Sequence, residues 1–166
     1  MEFQRQTNRR LYEEHVATLQ LLGRVERVFT GRAGEYPPAA GDSAWPAFAQ
    51  TFLGAMELEV ARHFEFEERE LFPRLEQAGD GDLAALLNEE HVTIRAVAQP
   101  IAALLRQALA GGLQPQQWQT LKTLALEFSE RLASHAQKED GALLPVLENL
   151  LDENTDRELF GAYAAQ

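Results

Sequence analysis

The sequence contains no cysteine, and only four of its 166 residues are histidine. The absence of cysteine excludes disulfides, thiolate zinc sites, iron–sulfur clusters and cysteine nucleophiles. Any metal chemistry must therefore use histidine nitrogens and carboxylate oxygens. With 45% hydrophobic and 25% charged residues, the chain has the composition of one globular domain with a buried core.

Basic residues are also few, since 15 lysines and arginines stand against 26 acidic residues, for a net charge of -11. A protein that follows nucleic-acid phosphates needs clustered basic residues, and here they are scattered. No apolar run approaches the roughly 20 residues that span a bilayer, and residues 1–10 contain no apolar signal core. We therefore expect a cytoplasmic protein with neither a nucleic-acid nor a membrane partner, and the pattern leaves the oligomeric state open.

Apolar residues recur at alternating steps of three and four in four long segments. This spacing predicts amphipathic helices at about residues 8–29, 46–78, 83–109 and 115–151. Glycine and proline predict a loop over residues 31–42, Pro100 predicts a kink, and a capping box at Thr155–Glu158 predicts a short fifth helix. No segment alternates with a period of two. The expected fold class is therefore all-α, a single domain over residues 1–166 with an up-down-up-down four-helix bundle (about 8–151) and a C-terminal helix (about 155–164).

Two short patterns occur twice in the chain. EEHV at residues 13–16 recurs at residues 89–92, and HFEFEERELFP at residues 63–73 recurs as HAQKEDGALLP at residues 135–145. In both copies of the longer block, acidic residues follow the histidine by four and five positions and proline follows it by ten. The repeat indicates two helical hairpins of the same design, related by a pseudo-twofold axis.

Each long helix carries one histidine on its apolar stripe, and these are His15, His63, His91 and His135. At a rise of about 1.5 Å per residue, the two histidines of each hairpin lie level, and a kink at Pro73 would align the two hairpins. A single such histidine is more often a hydrogen-bonded core residue than a ligand. Four of them at one level favour a common site.

Two glutamates, Glu67 and Glu139, stand four residues after a histidine of the repeat. The rotation of about 40° lets each histidine and its glutamate reach the same point. Glu68 and Asp140, one position later, rotate to about 140° and are expected to point outward. Buried carboxylates without a cation would cost several kcal/mol or become protonated. Four imidazoles and two carboxylates can instead hold two metal ions.

The pattern His15, His63-x-x-x-Glu67, His91 and His135-x-x-x-Glu139, with Leu-Phe-Pro or Leu-Leu-Pro endings, resembles the hemerythrin-like (HHE cation-binding) family over about residues 10–150. The resemblance implies a four-helix bundle that encloses a non-haem diiron site with two iron ions. It also implies that the four histidines are terminal ligands and that the two glutamates bridge the irons. A site of this type also accepts Mn or Zn.

The sequence departs from the oxygen-carrying hemerythrins at Arg95. Those proteins have a fifth histidine one helical turn after the third-helix histidine, where this chain has an arginine about 40° from His91. The loss of this ligand is expected to open a coordination position. Oxygen carriers use one saturated iron and one iron with a single vacancy, so the departure does not favour reversible O₂ transport.

Glu59 lies one turn before His63 on the inward face, where a charged side chain needs a partner. It can serve as an extra ligand, as a hydrogen-bond partner of a ligand histidine, or in an ion pair with Arg95 or Arg131. The supporting roles are favoured over ligation, because ligand histidines usually need an acceptor behind them.

Two further residues are candidates for supporting roles. Tyr12 can direct its hydroxyl at the site, although packing is the more frequent role. Asp140 is an alternative to Glu139 because oxygen carriers use an aspartate five residues after the last histidine, but the repeat and the helix angle favour Glu139. Nine other acidic residues are expected on solvated faces, with a supporting role as the alternative for the last four: Glu65, Glu68, Glu76, Asp152, Glu153, Glu13, Glu14, Glu89 and Glu90.

The function expected from these features is a non-haem diiron protein that binds or processes a small diatomic or peroxide ligand, such as O₂, NO or H₂O₂. A redox or protective role is favoured over O₂ transport. The alternative is an iron- or oxygen-responsive sensor or binding module without catalysis. A metal-free interaction bundle is the least favoured hypothesis.

Overall fold

The computed structural model describes residues 3–38 and 42–165, most of which lie in five helices. Helix α1 is Gln6–Thr30, α3 is Gly81–Gly111 and α5 is Glu153–Ala164. Helix α2 covers residues 44–78 as α-helical Ala44–Leu58, Phe64–Phe66 and Phe72–Ala78, with π-helical turns at Glu59–His63 and Glu67–Leu71. Helix α4 covers residues 115–150 as Pro115–Lys138 and Leu144–Leu150, with a π-helical turn at Glu139–Leu143. A 3₁₀ turn, Arg32–Glu35, follows α1.

The predicted all-α class is confirmed, because the described ranges contain helices and no strand. Consecutive long helices pack against each other, and α1 also packs against α4, which closes the four-helix bundle. Helix α5 packs on α1. Of the loop predicted over residues 31–42, residues 39–41 lie outside the described ranges. None of the described helices is long and apolar enough to cross a membrane.

Local backbone chemistry sets the helix ends. Gly79 and Gly112 adopt φ angles of 98° and 83°, which end α2 and α3 and which a residue with a Cβ rarely adopts. The carboxylate of Asp152 accepts the backbone N–H groups of Asn154 and Thr155 at 3.0 and 2.8 Å. Helix α5 therefore begins at Glu153 rather than at the predicted capping box, and Thr155 lies inside its first turn.

The π-helical turns interrupt α2 and α4, where the sequence predicts regular helix with a kink at Pro73. In a π-helical turn the backbone N–H bonds to the carbonyl five residues earlier, as Phe72 does to Glu67. Two of the turns end two residues before a proline, at Pro73 and Pro145. A proline ring clashes with the carbonyl four residues earlier in a regular helix, and a wider turn moves that carbonyl away. Helix α3 is not interrupted at Pro100.

The bundle core consists of two apolar clusters with a polar layer between them. The cluster nearer the α1–α2 loop includes Leu22, Phe29, Phe52, Phe64, Ile101, Trp118 and Phe128. The cluster nearer α5 includes Leu11, Phe66, Leu75, Leu87, Leu143, Leu147 and Leu159. The buried polar side chains between them come from all four long helices, and we call them the inner layer: His15, His63, Glu67, His91, His135 and Glu139.

Candidate metal centre

The four histidines of the inner layer meet in two pairs at the centre of the bundle. Each long helix contributes one imidazole, and each histidine is at most 2% exposed. The Nε2 atoms of His15 and His63 are 3.2 Å apart, and those of His91 and His135 are 2.9 Å apart. Two ligands at right angles on one ion, with bonds of about 2.1 Å, stand about 3.0 Å apart. Each pair therefore has the spacing of two neighbouring ligands of one metal ion.

The two inner glutamates each face both histidine pairs. Glu67 places Oε1 3.1 Å from His63 Nε2 and Oε2 3.4 Å from His91 Nε2. Glu139 places Oε2 3.2 Å from His15 Nε2 and Oε1 3.0 Å from His135 Nε2. Each carboxylate thus directs one oxygen at each pair. This is the arrangement that a bridging carboxylate requires.

A second set of acidic side chains, which we call the outer carboxylates, holds the far side of every imidazole. The Nδ1 atoms of His15 and His91 lie 2.6 and 2.7 Å from Asp140 and Glu68, and those of His63 and His135 lie 3.0 Å from Glu14 and Glu90. Because a carboxylate only accepts hydrogen bonds, each Nδ1 carries the proton that it donates. In the neutral imidazole Nε2 then keeps its lone pair, as a metal ligand must.

Four carboxylates and four helices form a closed ring through these contacts. Helix α1 provides the acceptor for the histidine of α2, α2 for that of α3, α3 for that of α4, and α4 for that of α1. The donor and acceptor positions also match the internal repeat, since Glu14 and Glu90 precede a histidine by one residue and Glu68 and Asp140 follow one by five. The pseudo-twofold relation of the sequence is therefore present in the contacts.

In the inner layer, the lone pairs of histidine nitrogens and glutamate oxygens face one another. Among the described residues, both carboxylate oxygens of Glu67 and Oε1 of Glu139 are buried without a hydrogen-bond partner. Buried charges and lone pairs left without partners cost several kcal/mol. Cations between the nitrogens and oxygens would satisfy all of these atoms together. The side chains present therefore fit metal cations with nitrogen and oxygen ligands.

Charge in the layer shifts the protonation of His15 and His135 in the metal-free protein. Burial alone lowers the pKa of an imidazole, but Asp140 and Glu139 raise the pKa of His15 to about 9. Glu139 and Glu67 likewise outweigh burial and raise the pKa of His135 to about 9. Burial raises the pKa of Glu139, yet His135 and His15 hold it well below its ordinary range. Without metal, protons supply the positive charge that the layer requires.

The outer carboxylates are the main correction to the sequence analysis. Glu68 and Asp140 were expected to point outward, but the flank of a helix in a bundle faces a neighbouring helix, so both reach a histidine there. Glu14 and Glu90 hold histidines, which is the supporting role that the sequence analysis gave as the alternative to a solvated face. The recurrence of an acidic residue beside each repeated histidine was the signal for this role.

The other supporting candidates fall in different places. Glu59 is buried and accepts a hydrogen bond from Thr18 at 2.9 Å, whereas an ion pair with Arg95 or Arg131 was one of the alternatives that the sequence left open. Arg131 instead pairs with Glu127 on its own helix. Tyr12 packs against the ring of Phe3 at 5.8 Å, in the apolar cluster near α5.

Arg95 extends away from the inner layer. Its Nη1 donates to Glu68 Oε1 at 2.6 Å, the same oxygen that accepts from His91, and its guanidinium lies 5.4 Å from the Phe64 ring. Arginine carries no lone pair for a metal, so α3 contributes a single ligand atom, from His91. Two ion pairs with outer carboxylates were not predicted from the sequence. Lys138 contacts Glu90 at 2.7 Å, and Arg10 contacts Glu14 at 2.8 Å.

The inner layer divides into two groups of ligand atoms that share both glutamates. One group is His15, His63, Glu67 and Glu139, and the other is Glu67, His91, His135 and Glu139. The sequence pattern of the hemerythrin HHE cation-binding domain matches residues 6–147, which include all six side chains. No curated protein matches the sequence. The chain belongs to the hemerythrin HHE cation-binding domain family, and its buried histidines and glutamates form a cluster suited to metal ions.

Proposed function

We propose that this protein holds two iron ions between its four inner histidines and two inner glutamates, and that it binds or processes O₂, NO or peroxide. A redox or protective role is favoured over O₂ transport. The observation that carries the proposal is that Glu67 and Glu139 each direct one oxygen at each histidine pair. One ion alone would leave two of these four oxygens without a cation.

Each histidine pair and the two glutamates offer four ligand atoms, two nitrogens and two oxygens. Iron in a site of histidine and carboxylate ligands accepts up to about six ligands, which leaves coordination positions for a small molecule. Ferrous ions there would supply electrons to an oxidising ligand. Both halves of the layer offer the same ligand set, and an oxygen carrier instead needs one saturated ion.

The side chains of this chain have separable roles in the proposed site. The outer carboxylates keep each Nδ1 protonated and fix the plane of each imidazole, so that Nε2 points inward. Phe64 stacks on His91 with ring centroids 3.7 Å apart and closes the layer toward the larger apolar cluster. A layer enclosed in this way excludes bulky or charged substrates. Small neutral molecules such as O₂, NO and H₂O₂ can enter through brief fluctuations of the packing.

Metal analysis of the purified protein tests the first part of the proposal. We expect two iron ions per chain, and Mn or Zn in their place would refute the assignment to iron. The variant Glu67→Ala is expected to retain at most one ion. Glu65→Ala is the matched control, because Glu65 lies two residues away and forms an exposed ion pair with Arg69.

The reaction of the reduced, iron-loaded protein with O₂ tests the second part. The expected result is rapid, irreversible oxidation in air, monitored by the visible absorption spectrum. A stable absorption band that disappears when O₂ is withdrawn would favour O₂ transport and contradict the redox assignment.

The sensor alternative has one observation in its favour, the buried charge at the centre of the bundle. Glu67 and Glu139 repel each other, which together with burial raises the pKa of Glu67, and only the contacts with His63 and His91 hold that pKa below its ordinary value. Loss of the metal would therefore weaken the contacts among all four long helices. Circular dichroism with and without a chelator separates the two functions, since a large loss of helix on chelation favours sensing.

A further inference from the structure

The two halves of the metal centre differ in what holds their outer carboxylates. Glu14 and Glu90 occupy the same position in the internal repeat, and each accepts a hydrogen bond from a histidine Nδ1 at 3.0 Å. Glu90 is held further by Lys138, which is 40% exposed and also contacts Ser134. Glu14 has a buried partner that the repeat does not provide.

That partner is Tyr163, from the C-terminal helix α5. Its hydroxyl donates to Glu14 Oε2, the same oxygen that accepts from His63 Nδ1. The hydroxyl oxygen also lies 3.5 Å from His63 Nδ1. Tyr163 is only 2% exposed, and a buried phenol hydroxyl needs a hydrogen-bond partner. The partner here is the carboxylate that orients a histidine of the metal centre.

The position of the Tyr163 ring is fixed independently of its hydroxyl. The ring packs on Phe66 with centroids 4.4 Å apart, and the guanidinium of Arg62 lies 4.7 Å from its centre. Arg62 also donates to the Tyr163 carbonyl at 2.7 Å. These contacts fix the position of the hydroxyl without any contribution from Glu14. Removal of the hydroxyl alone would therefore leave the docking of α5 in place.

We infer that Tyr163 is a positioning residue that holds the Glu14 carboxylate on His63 Nδ1, and that it makes α5 part of the metal position formed by His15 and His63. The inference rests on the metal pair of the proposed function. The Glu14 side chain is 17% exposed and also contacts Arg10, which is 44% exposed. Without the Tyr163 hydroxyl, the carboxylate can turn toward Arg10 and water, and His63 loses its orientation.

Competition titration of the full-length protein with Zn²⁺ and a chelating dye tests the inference. Zinc has no redox chemistry, so the result does not depend on reactions with O₂. The variant Tyr163→Phe is expected to weaken the binding of one of the two ions about 10- to 100-fold, the usual effect of losing a partner behind a ligand. Lys138→Met likewise removes the partner of Glu90, and it is expected to weaken the binding of the other ion. The double variant should weaken the binding of both ions.

Two further measurements separate positioning from packing. Tyr12→Phe removes the hydroxyl of a tyrosine that packs in the same apolar cluster, and it is expected to leave both zinc affinities unchanged. In spectra of ¹⁵N-histidine-labelled, metal-free protein, Tyr163→Phe should shift the Nδ1 resonance of His63 and leave that of His135 in place. A packing defect would not select one histidine.

Several outcomes would overturn the inference. The inference would be refuted if Tyr163→Phe left both zinc affinities unchanged or lowered both equally. It would also be refuted if Tyr163→Phe lowered the affinity for the same ion as Lys138→Met. An unshifted His63 resonance would refute it as well. If the unmodified protein bound fewer than two zinc ions, the metal pair of the proposed function would fail, while the histidine spectra would still decide the role of Tyr163.

Discussion

Removal of the metal is expected to make the stability of the protein fall as the pH rises from about 6.5 through about 9. In the metal-free protein, nearby carboxylates outweigh burial and raise the pKa of His15 and of His135 from 6.5 to about 9. A folded-state pKa above the unfolded value stabilises the fold fully below the unfolded pKa. That contribution is lost as the pH rises through the folded pKa, because the imidazoles then lose their protons beside buried carboxylates.

The size of the effect follows from the pKa change. A shift from 6.5 to about 9 corresponds to about 3 kcal/mol for each histidine. Both histidines contact Glu139, so the two contributions are coupled and do not simply add. For a protein of this size, 1 kcal/mol moves the melting temperature by roughly 2–4 °C. The melting temperature of the metal-free protein should therefore fall by about 10 °C over this pH range.

Thermal unfolding followed by circular dichroism is the assay, with chelator-treated and zinc-loaded protein at several pH values between about 6.5 and 9.5. In the zinc-loaded protein the metal occupies Nε2, so the decline should be much smaller and the gap between the two forms should widen with pH. Glu139→Gln removes a charge that raises both pKa values, and it should flatten the decline in the metal-free protein. A metal-free melting temperature that is constant or rises over this range would refute the reasoning.

Three further predictions concern single contacts. Asp140→Ala removes the acceptor of His15 Nδ1 and should weaken zinc binding about 10- to 100-fold in competition titrations, whereas Asp152→Ala, which removes only the cap of α5, should leave it unchanged. Equal effects of the two variants would contradict the role of Asp140. Arg95→His places a nitrogen ligand one turn after His91 and should slow the irreversible oxidation of the iron-loaded protein in air; an unchanged rate would show that this position does not reach the metal. Asp156→Ala removes the carboxylate that accepts from two N–H groups of the first turn of α1 at 2.8 and 2.9 Å, and it should cost about 1–2 kcal/mol, measured as a lower melting temperature. An unchanged melting temperature would show that water replaces this cap at no cost.

The helices and the residues of the inner layer could be predicted from spacing alone. Apolar residues at steps of three and four identify a buried helical face, and a glutamate four residues after a histidine lies on that same face. His63 with Glu67 and His135 with Glu139 meet this condition, and the structure brings both pairs together at the centre. Spacing describes one helix at a time. It succeeds where a residue points along the shared inward direction.

The outer carboxylates could not be placed by the same reasoning. An angle of about 140° from a ligand histidine points out of an isolated helix, but in a bundle the same direction meets the adjacent helix. Asp140 therefore reaches His15 on α1, and Glu68 reaches His91 on α3. The contact of Tyr163 with Glu14 could not be predicted either, because it depends on how α5 packs across the bundle. The internal repeat has no counterpart of α5, so the sequence contains no second copy of this tyrosine that would indicate its role.

The closed ring of histidine and carboxylate contacts predicts that metal binding and the stability of this fold depend on each other. Every interface between consecutive long helices, and the interface of α4 with α1, contains one hydrogen bond from an imidazole to an outer carboxylate. A metal ion that binds Nε2 makes Nδ1–H a stronger donor, because positive charge on the ring polarises that bond. Metal binding would thus strengthen all four helix interfaces at once, and loss of one outer carboxylate would weaken one metal position together with one interface. Metal affinity and melting temperature should therefore change together in variants of the ring, whereas in variants of the helix caps only the melting temperature should change.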